Sequence, residues 1–247
     1  MINVYKSQFA KKFLDPPFYN PNFKKHNIDS KHILVVGSTG TGKTNFFINF
    51  LDQFANTFGR TMIVTKNIDE PLYNAIKHSL KDACDVITYD QLKPLEEQPK
   101  NMQCLTVFDD FIALKTNELK KLDDDVLRAR KFGMMCMFLA QSFFPVSPTI
   151  RANIGYLVLL SLASKKAINM ILKTLDFPID NENDILRALV KNATQHKLNV
   201  CIIDINTTDI NKKIRRNFTD YYILEDKNNN EINIRDINLF SGSGILN

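Results

Sequence analysis

The chain has 247 residues, of which 44% are hydrophobic and 24% are charged, and its formal net charge is +5. This length suits one large domain or two small ones, and the composition is that of a soluble globular protein. The apolar runs are all far shorter than the ~20 residues that cross a bilayer, so we expect no membrane-spanning segment. The mild positive charge is compatible with a polyanionic partner, and the placement of the basic residues matters more than their sum.

The N-terminus and the cysteines both indicate a reducing compartment. The first residues lack the apolar core of a signal peptide. The four cysteines are scattered, form no CxxC pair and lie mostly in apolar runs, which predicts free buried thiols. They are Cys84, Cys104, Cys136 and Cys201.

Apolar strands alternate with helices along most of the chain. Residues 1–30 contain Pro16, Pro17 and Pro21 and are interpreted as an extended lead-in. The predicted strands are "HILVV", "RTMIVT", "DVITYD", "CLTVFDDF", "GMMCMFLAQ", "GYLVLLSLA" and "LNVCIIDIN". The predicted helices are "KTNFFINFLDQFANTF", "DEPLYNAIKHSLKD", "NELKKLDDDVLRARKF", "SKKAINMILKTL" and "NENDILRALVKNA".

This alternation, with strands that are apolar throughout, predicts an α/β fold with a mostly parallel sheet and helices on both faces. We expect one such domain over residues 31–219. Residues 220–247 are rich in Asn and are interpreted as a hairpin or tail.

The stretch after the first strand matches the phosphate-loop pattern G-x-x-x-x-G-K-[ST] at every required position. It consists of Gly37, Ser38, Thr39, Gly40, Thr41, Gly42, Lys43 and Thr44. Its glycines let successive N–H groups turn toward phosphate oxygens, and the following helix directs its positive end at the same anion. We expect Lys43 to reach the β- and γ-phosphates and Thr44 to supply a hydroxyl to Mg²⁺.

An acidic pair ends the strand "CLTVFDD". In an open α/β sheet, ligands bind beyond the carboxyl ends of the strands. Asp109 is therefore predicted to hold Mg²⁺, and Asp110 to polarise an attacking water as a general base. A solvated turn at a strand end is the alternative for these residues.

Gln141 ends the strand "CMFLAQ" in the same way. An amide side chain there can donate and accept, so it could respond to the γ-phosphate; the alternative is a glutamine that merely opens a loop. Arginines assist phosphoryl transfer, often from a neighbouring subunit, and the candidates are Arg128, Arg130 and Arg151. Cations that complement a helix C-terminus are the alternative explanation.

The phosphate loop alone is shared by motors, small-molecule kinases and nucleotide switches. Asp110 and Gln141 favour hydrolysis, and the chain shows no insertion of the kind that forms a kinase lid. A kinase or a switch stays open as an alternative.

Taken in order, these motifs resemble the viral genome-packaging ATPases of the FtsK–HerA superfamily, found in poxviruses, giant DNA viruses and virophages. The resemblance covers roughly residues 30 to 205. It rests on Asp109-Asp110, an arginine before the next strand (Arg130), Ala140-Gln141 and the segment Ile150-Arg151-Ala152-Asn153. Relatives often have Gly-Arg-His where this chain has Ala129-Arg130-Lys131, which leaves the choice between Arg130 and Arg128 open.

The resemblance implies a RecA-like core, a homo-oligomeric ring and arginines that act in trans. It also implies translocation of double-stranded DNA, driven by hydrolysis of ATP with Mg²⁺, at a capsid or portal vertex. The expected location is the host cytoplasm, in the virus factory, or the virion. A plasmid or conjugation ATPase of the same superfamily is an alternative.

Basic pairs along the chain are candidates for contact with DNA phosphates. They are Lys120/Lys121, Lys165/Lys166 and the densest group, Lys212/Lys213/Arg215/Arg216. Ordinary solvated charge is the alternative for each pair.

Overall fold

The computed structural model describes residues 23, 28, 30–98, 102–161, 165–174, 182–196, 198–207, 209–223 and 238–241. Over these residues the strands are β1 His32–Val36, β2 Arg60–Val64, β3 Cys84–Ile87, β4 Cys104–Asp109, β5 Met134–Ala140, β6 Ile154–Leu159, β7 Cys201–Asp204, β8 Ile214–Arg216, β9 Asp220–Ile223 and β10 Asn238–Ser241. They form one sheet in the order β10-β9-β8-β7-β6-β1-β5-β4-β2-β3.

The sheet has a parallel half and an antiparallel half. From β3 through β2, β4, β5 and β1 to β6, every neighbouring pair is parallel. This confirms the predicted mostly parallel sheet for the part of the chain that carries the motifs. The strands from β7 to β10 add to the β6 edge in antiparallel pairs. The short links from β7 to β8 and from β8 to β9 favour antiparallel pairing, because a parallel pair requires a long crossover.

Helices connect the strands over the described residues. They are α1 Lys43–Gln53, α2 Pro71–Leu80, α3 Thr116–Ala129, α4 Pro148–Asn153, α5 Lys165–Lys173, α6 Glu182–Ala193 and α7 Ile210–Lys213. The short helices α4 and α7 were not predicted. The start of α4 nevertheless has a signal in the sequence, since the Ser147 side chain accepts the N–H of Ile150 and Pro148 occupies the first turn.

Alternate residues of β1 bury against opposite layers of the protein. Ile33 and Val35 belong to the apolar cluster formed with α1 and α2. Leu34 and Val36 belong to the cluster formed with α3, α5 and α6. Both faces of the central strands are therefore covered, and every residue of β1 is buried. This double coverage explains why the strands are apolar at successive positions.

Much of the predicted lead-in and tail lies outside the described residues. Phe23 is buried against Phe54 and Phe58, with ring centroids 5.8 and 5.9 Å away. At the other end, β9 and β10 pair in antiparallel fashion. The division at residues 30/31 and 219/220 stays a prediction.

The structure confirms the prediction of free, buried thiols. All four cysteines are free and buried. Among the described residues, none of the helices has the length and apolar character required to span a membrane.

Candidate functional site

The phosphate loop joins β1 to α1 and is closed by its own hydrogen bonds. The N–H and the hydroxyl of Thr41 both donate to the carbonyl of Ser38, at 3.2 and 2.7 Å. Gly40 and Gly42 have φ of 78° and 103°, a left-handed backbone in which a side chain would be strained. No side chain caps the first turn of α1, so its N–H groups are available to an anion.

Lys43 lies across this loop. Its Nζ donates to the carbonyl of Gly37 at 2.9 Å and to the carbonyl of Ser38 at 3.3 Å. Burial lowers the pKa of Lys43, while the carboxylates of Asp109 and Asp110 act in the opposite direction. The ammonium group is therefore close enough to the acidic pair to interact with it electrostatically.

Asp109 ends β4, and both of its carboxylate oxygens accept hydrogen bonds. The Tyr73 hydroxyl donates to Oδ2 at 2.7 Å, and the backbone N–H of Asp110 donates to Oδ1 at 3.1 Å. Burial raises the pKa of Asp109; the bond from Tyr73 opposes this, and the negative charge of Asp110 adds to it. Asp110 is exposed and has a left-handed backbone with φ 52°, which directs the chain away from the strand.

The sheet order brings three predicted strand ends together. β5 lies between β1 and β4, with Ala140 level with Val36 and Leu139 level with Asp109. Gln141, the residue after β5, is exposed and lies between the phosphate loop and the acidic pair. The carboxyl edge of the sheet thus gathers the phosphate loop, both aspartates and the glutamine.

Glu70 and Tyr73 lie beside the acidic pair, and Tyr89 supports the backbone of β4 behind it; our sequence analysis missed all three. Tyr73 of α2 contacts the Asp109 carboxylate, and the Tyr89 hydroxyl donates to the Asp109 carbonyl at 3.0 Å. Burial raises the pKa of Glu70, and the charges of Asp109 and Asp110 raise it further. Glu70 and Tyr73 follow β2 and Tyr89 follows β3; β2 pairs directly with β4 and β3 pairs with β2. A single sequence carries no signal for that pairing.

The candidate arginines Arg130 and Arg151 each precede a strand of the sheet. Arg130 is exposed, lies in a short turn just before β5, and acts electrostatically on His32 at the start of β1. Arg151 is on α4, just before β6. Its guanidinium stacks on Phe143 at 5.2 Å, and its Nε is buried and has no hydrogen-bond partner among the described residues.

Arg128 differs from both of these arginines because it is already paired. Its guanidinium binds Glu96 at 2.5 Å and Asp125 at 3.7 Å, and the side chain is exposed. The choice between Arg128 and Arg130 as the arginine that acts in trans stays a prediction.

The densest basic group is not a solvent-facing patch, so that prediction is wrong for two of its members. Lys213 and Arg215 are 9% and 1% exposed. The guanidinium of Arg215 lies 3.8 Å from the Asp204 carboxylate and packs over the rings of Tyr156 and Tyr221. They are buried because α7 and β8 pack against β7. The candidates whose side chains are described and exposed are Lys120, Lys121, Lys166 and Lys212.

The residues at the carboxyl edge suit a magnesium ion shared with phosphates. Over the described part of the chain, no group of three or more His, Cys, Asp or Glu side chains could hold a metal by itself. Thr44 and Asp109 offer two oxygen donors, and the remaining positions around Mg²⁺ are usually filled by phosphate oxygens and water. Asp109, Asp110 and Glu70 together place more negative charge here than Lys43 balances, which favours a bound cation.

This fold and this site define a P-loop NTPase. The family model described as Poxvirus A32 protein matches residues 20–241, and the chain belongs to that family. It is an ATPase of the viral genome-packaging class, as the resemblance in its motifs indicated.

Solved structures share the fold. The DNA-packaging ATPase B204 from Sulfolobus Turreted Icosahedral Virus has a TM-score of 0.53 and 13% identity, over 76% of this chain and 96% of that chain. The genome packaging NTPase B204 from Sulfolobus turreted icosahedral virus 2, in complex with AMP, has a TM-score of 0.52 and 15% identity, over 76% and 98%. The same NTPase in complex with ATP-gammaS has a TM-score of 0.51 and 13% identity, over 75% and 95%. Among curated protein sequences, none matches this chain.

Proposed function

We propose that this chain hydrolyses Mg²⁺-bound ATP at the carboxyl edge of its sheet and uses the energy to move double-stranded DNA into a viral capsid. The observation that carries this proposal is the meeting of the phosphate loop, Asp109-Asp110 and Gln141 at neighbouring strand ends. The B204 packaging NTPase, which has the same fold, was solved in complex with ATP-gammaS and with AMP, which supports nucleotide binding by this chain.

The loop amides and Lys43 bind the phosphates. The N–H groups at the start of α1 point their positive ends at the anion, and Lys43 exchanges its loop carbonyls for phosphate oxygens. Thr44 and Asp109 hold Mg²⁺. Bound there, Mg²⁺ supplies positive charge that offsets the charge developing on the phosphates.

Asp110 is the general base. Its exposed carboxylate accepts a proton from a water molecule, whose oxygen forms a bond to the γ-phosphorus as the bond from that phosphorus to the β–γ bridging oxygen breaks. ADP leaves with the bridging oxygen, and inorganic phosphate forms. General base catalysis by a positioned carboxylate contributes ~10²–10⁴-fold to such a rate.

Gln141 distinguishes ATP from ADP. Its amide lies between the two halves of the site, where it can donate to a γ-phosphate oxygen and accept from the attacking water. Loss of the γ-phosphate removes one of these partners. The loop that carries Gln141 continues to Phe143, which stacks on Arg151, so a movement of this loop reaches the other edge of the sheet.

A neighbouring subunit supplies the arginine in a homo-oligomeric ring. Arg130 and Arg151 precede β5 and β6, near the amino ends of these strands. We propose that one of them reaches the γ-phosphate of a neighbour, where a guanidinium stabilises charge in the transition state.

Double-stranded DNA is the proposed polymer substrate, and a capsid or portal vertex in the host cytoplasm is the proposed place of action. Exposed lysines such as Lys120, Lys121 and Lys166 provide sequence-independent contacts with phosphates. The family match favours packaging over a plasmid or conjugation role.

The test is the ATPase rate of the full chain in Mg²⁺, with and without duplex DNA, over a range of salt concentrations. We expect DNA to stimulate hydrolysis at low salt and the stimulation to fall as salt rises, because phosphate contacts release counterions. Lys43→Ala serves as the inactive control. A rate that ignores DNA at low salt would contradict the motor, and phosphate transfer to a small-molecule acceptor in place of water would indicate a kinase.

A further inference from the structure

Tyr73 contacts one of the two residues that offer oxygen atoms to a metal. Its side chain is fully buried on α2, and its hydroxyl donates to Oδ2 of Asp109 at 2.7 Å. Asp109 ends β4, so this hydrogen bond joins α2 to the strand that carries the acidic pair.

The direction of this hydrogen bond follows from the chemistry of the two groups. The Tyr73 hydroxyl has one proton, and an ionised carboxylate can only accept. Tyr73 therefore uses its proton on Oδ2 of Asp109, and that oxygen keeps a second lone pair that can bind a cation.

Both oxygens of the Asp109 carboxylate accept a hydrogen bond. Tyr73 donates to Oδ2 at 2.7 Å, and the backbone N–H of Asp110 donates to Oδ1 at 3.1 Å. The plane of the carboxylate is therefore fixed from both sides.

We propose that Tyr73 is a positioning residue for the Mg²⁺ of the ATP site, which holds the Asp109 carboxylate in the orientation that binds the ion. This inference rests on the proposed function, since it takes Mg²⁺-bound ATP as the ligand. Tyr73 contacts a proposed ligand of the ion and acts through it. Partners of this kind change metal affinity by ~10–100-fold when they are removed.

The chain offers a matched control in Tyr89. Its hydroxyl also donates to Asp109, but to the backbone carbonyl at 3.0 Å and not to the carboxylate. Tyr73→Phe and Tyr89→Phe therefore each remove one hydroxyl that donates to the same residue, and only the first touches the carboxylate.

The experiment measures binding of a fluorescent ADP analogue to the full chain while Mg²⁺ is titrated, with a parallel titration of the analogue in EDTA. We expect Tyr73→Phe to raise the half-saturating Mg²⁺ concentration by ~10–100-fold and to leave nucleotide affinity in EDTA unchanged. Tyr89→Phe should keep the wild-type Mg²⁺ requirement. In Tyr73→Phe/Asp109→Asn, the loss should be smaller than the sum of the single losses, because both changes act on one contact.

A Tyr73→Phe protein with the wild-type Mg²⁺ requirement would overturn the proposal. Equal increases of the half-saturating Mg²⁺ concentration in Tyr73→Phe and Tyr89→Phe would overturn it too, because the effect would then come from packing around β4. A wild-type chain that binds the analogue with no dependence on Mg²⁺ would instead contradict the proposed function. Circular dichroism melts establish that each variant is folded, and the double variant tests the coupling in an independent background.

Discussion

The two edges of the parallel half of the sheet carry opposite charges. The carboxyl edge holds Asp109, Asp110 and Glu70 around Lys43, whereas the amino edge holds Arg130 and Arg151. The first edge can bind a nucleotide with its metal, and the second can supply a cation to one. Arg151 stacks on Phe143, two residues beyond Gln141, so the loop after β5 connects the two edges. The proposed ring makes a neighbour's nucleotide the target of these arginines.

The two edges also differ in how their polar groups are satisfied. At the carboxyl edge, hydrogen bonds converge on Asp109 from Tyr73, Tyr89 and Asp110. At the amino edge, His32 is fully enclosed: its Nδ1 accepts the N–H of Cys136 at 3.0 Å, and its Nε2 lies 3.3 Å from the carbonyl of Val126. One edge orients groups toward a ligand, and the other ties strands and a helix together.

The largest expected effect concerns the arginines. Arg130→Ala or Arg151→Ala should lower kcat by ~10³-fold or more if that residue acts in trans, because a guanidinium in this role contributes that much. Arg128→Ala is the control, since Arg128 is paired with Glu96 and Asp125. The measurement is steady-state ATPase in the presence of duplex DNA.

Mixing experiments show whether the arginine crosses an interface. A subunit with the inactive arginine variant keeps Asp110, and an Asp110→Asn subunit keeps the arginine. Mixed rings should therefore regain activity that neither variant has alone. Mixtures that stay inactive would count against a site shared between subunits.

A somewhat smaller effect is expected at the other edge. Asp110→Asn should lower kcat by ~10²–10⁴-fold, the usual contribution of a general base, with little change in nucleotide affinity. The companion variant Glu70→Gln tests the third carboxylate near the site. A larger loss of kcat in Glu70→Gln than in Asp110→Asn would transfer the role of base to Glu70.

The smallest effect concerns stability at the amino edge. Burial lowers the pKa of His32 to about 4, from 6.5. The folded state therefore favours the neutral ring. The stability that this preference protects is fully present above the unfolded pKa near 6.5, and it is lost as the pH falls toward about 4. The shift corresponds to a loss of up to about 3 kcal/mol in the free energy of unfolding.

Urea unfolding of the wild type and of His32→Gln, at several pH values from 7 down to 4, measures this loss. Glutamine keeps one donor and one acceptor but does not titrate, so the two stability curves should converge as the pH falls. If the two stability curves stay parallel as the pH falls, the pH dependence does not come from His32. An NMR titration of the His32 ring, with an expected midpoint near pH 4, tests it without any substitution.

The sequence alone determined the chemistry of each strand end. The phosphate loop, the acidic pair and Gln141 are local patterns, because a loop that binds phosphate needs its glycines and its lysine at fixed spacing. The alternation of apolar strands and helices likewise determined the parallel half of the sheet. The family resemblance came from the order of these motifs along the chain.

Only the tertiary structure decided which of these patterns meet and which residues join them. Tyr73, Tyr89 and Glu70 reach Asp109 because β2 and its neighbour β3 lie beside β4, a pairing between strands that are distant in sequence. Burial of Arg215 against Asp204 depends in the same way on how β8 adds to β7. Spacing along the chain fixes which groups a loop presents, whereas the order of strands in the sheet fixes which groups from other elements surround them.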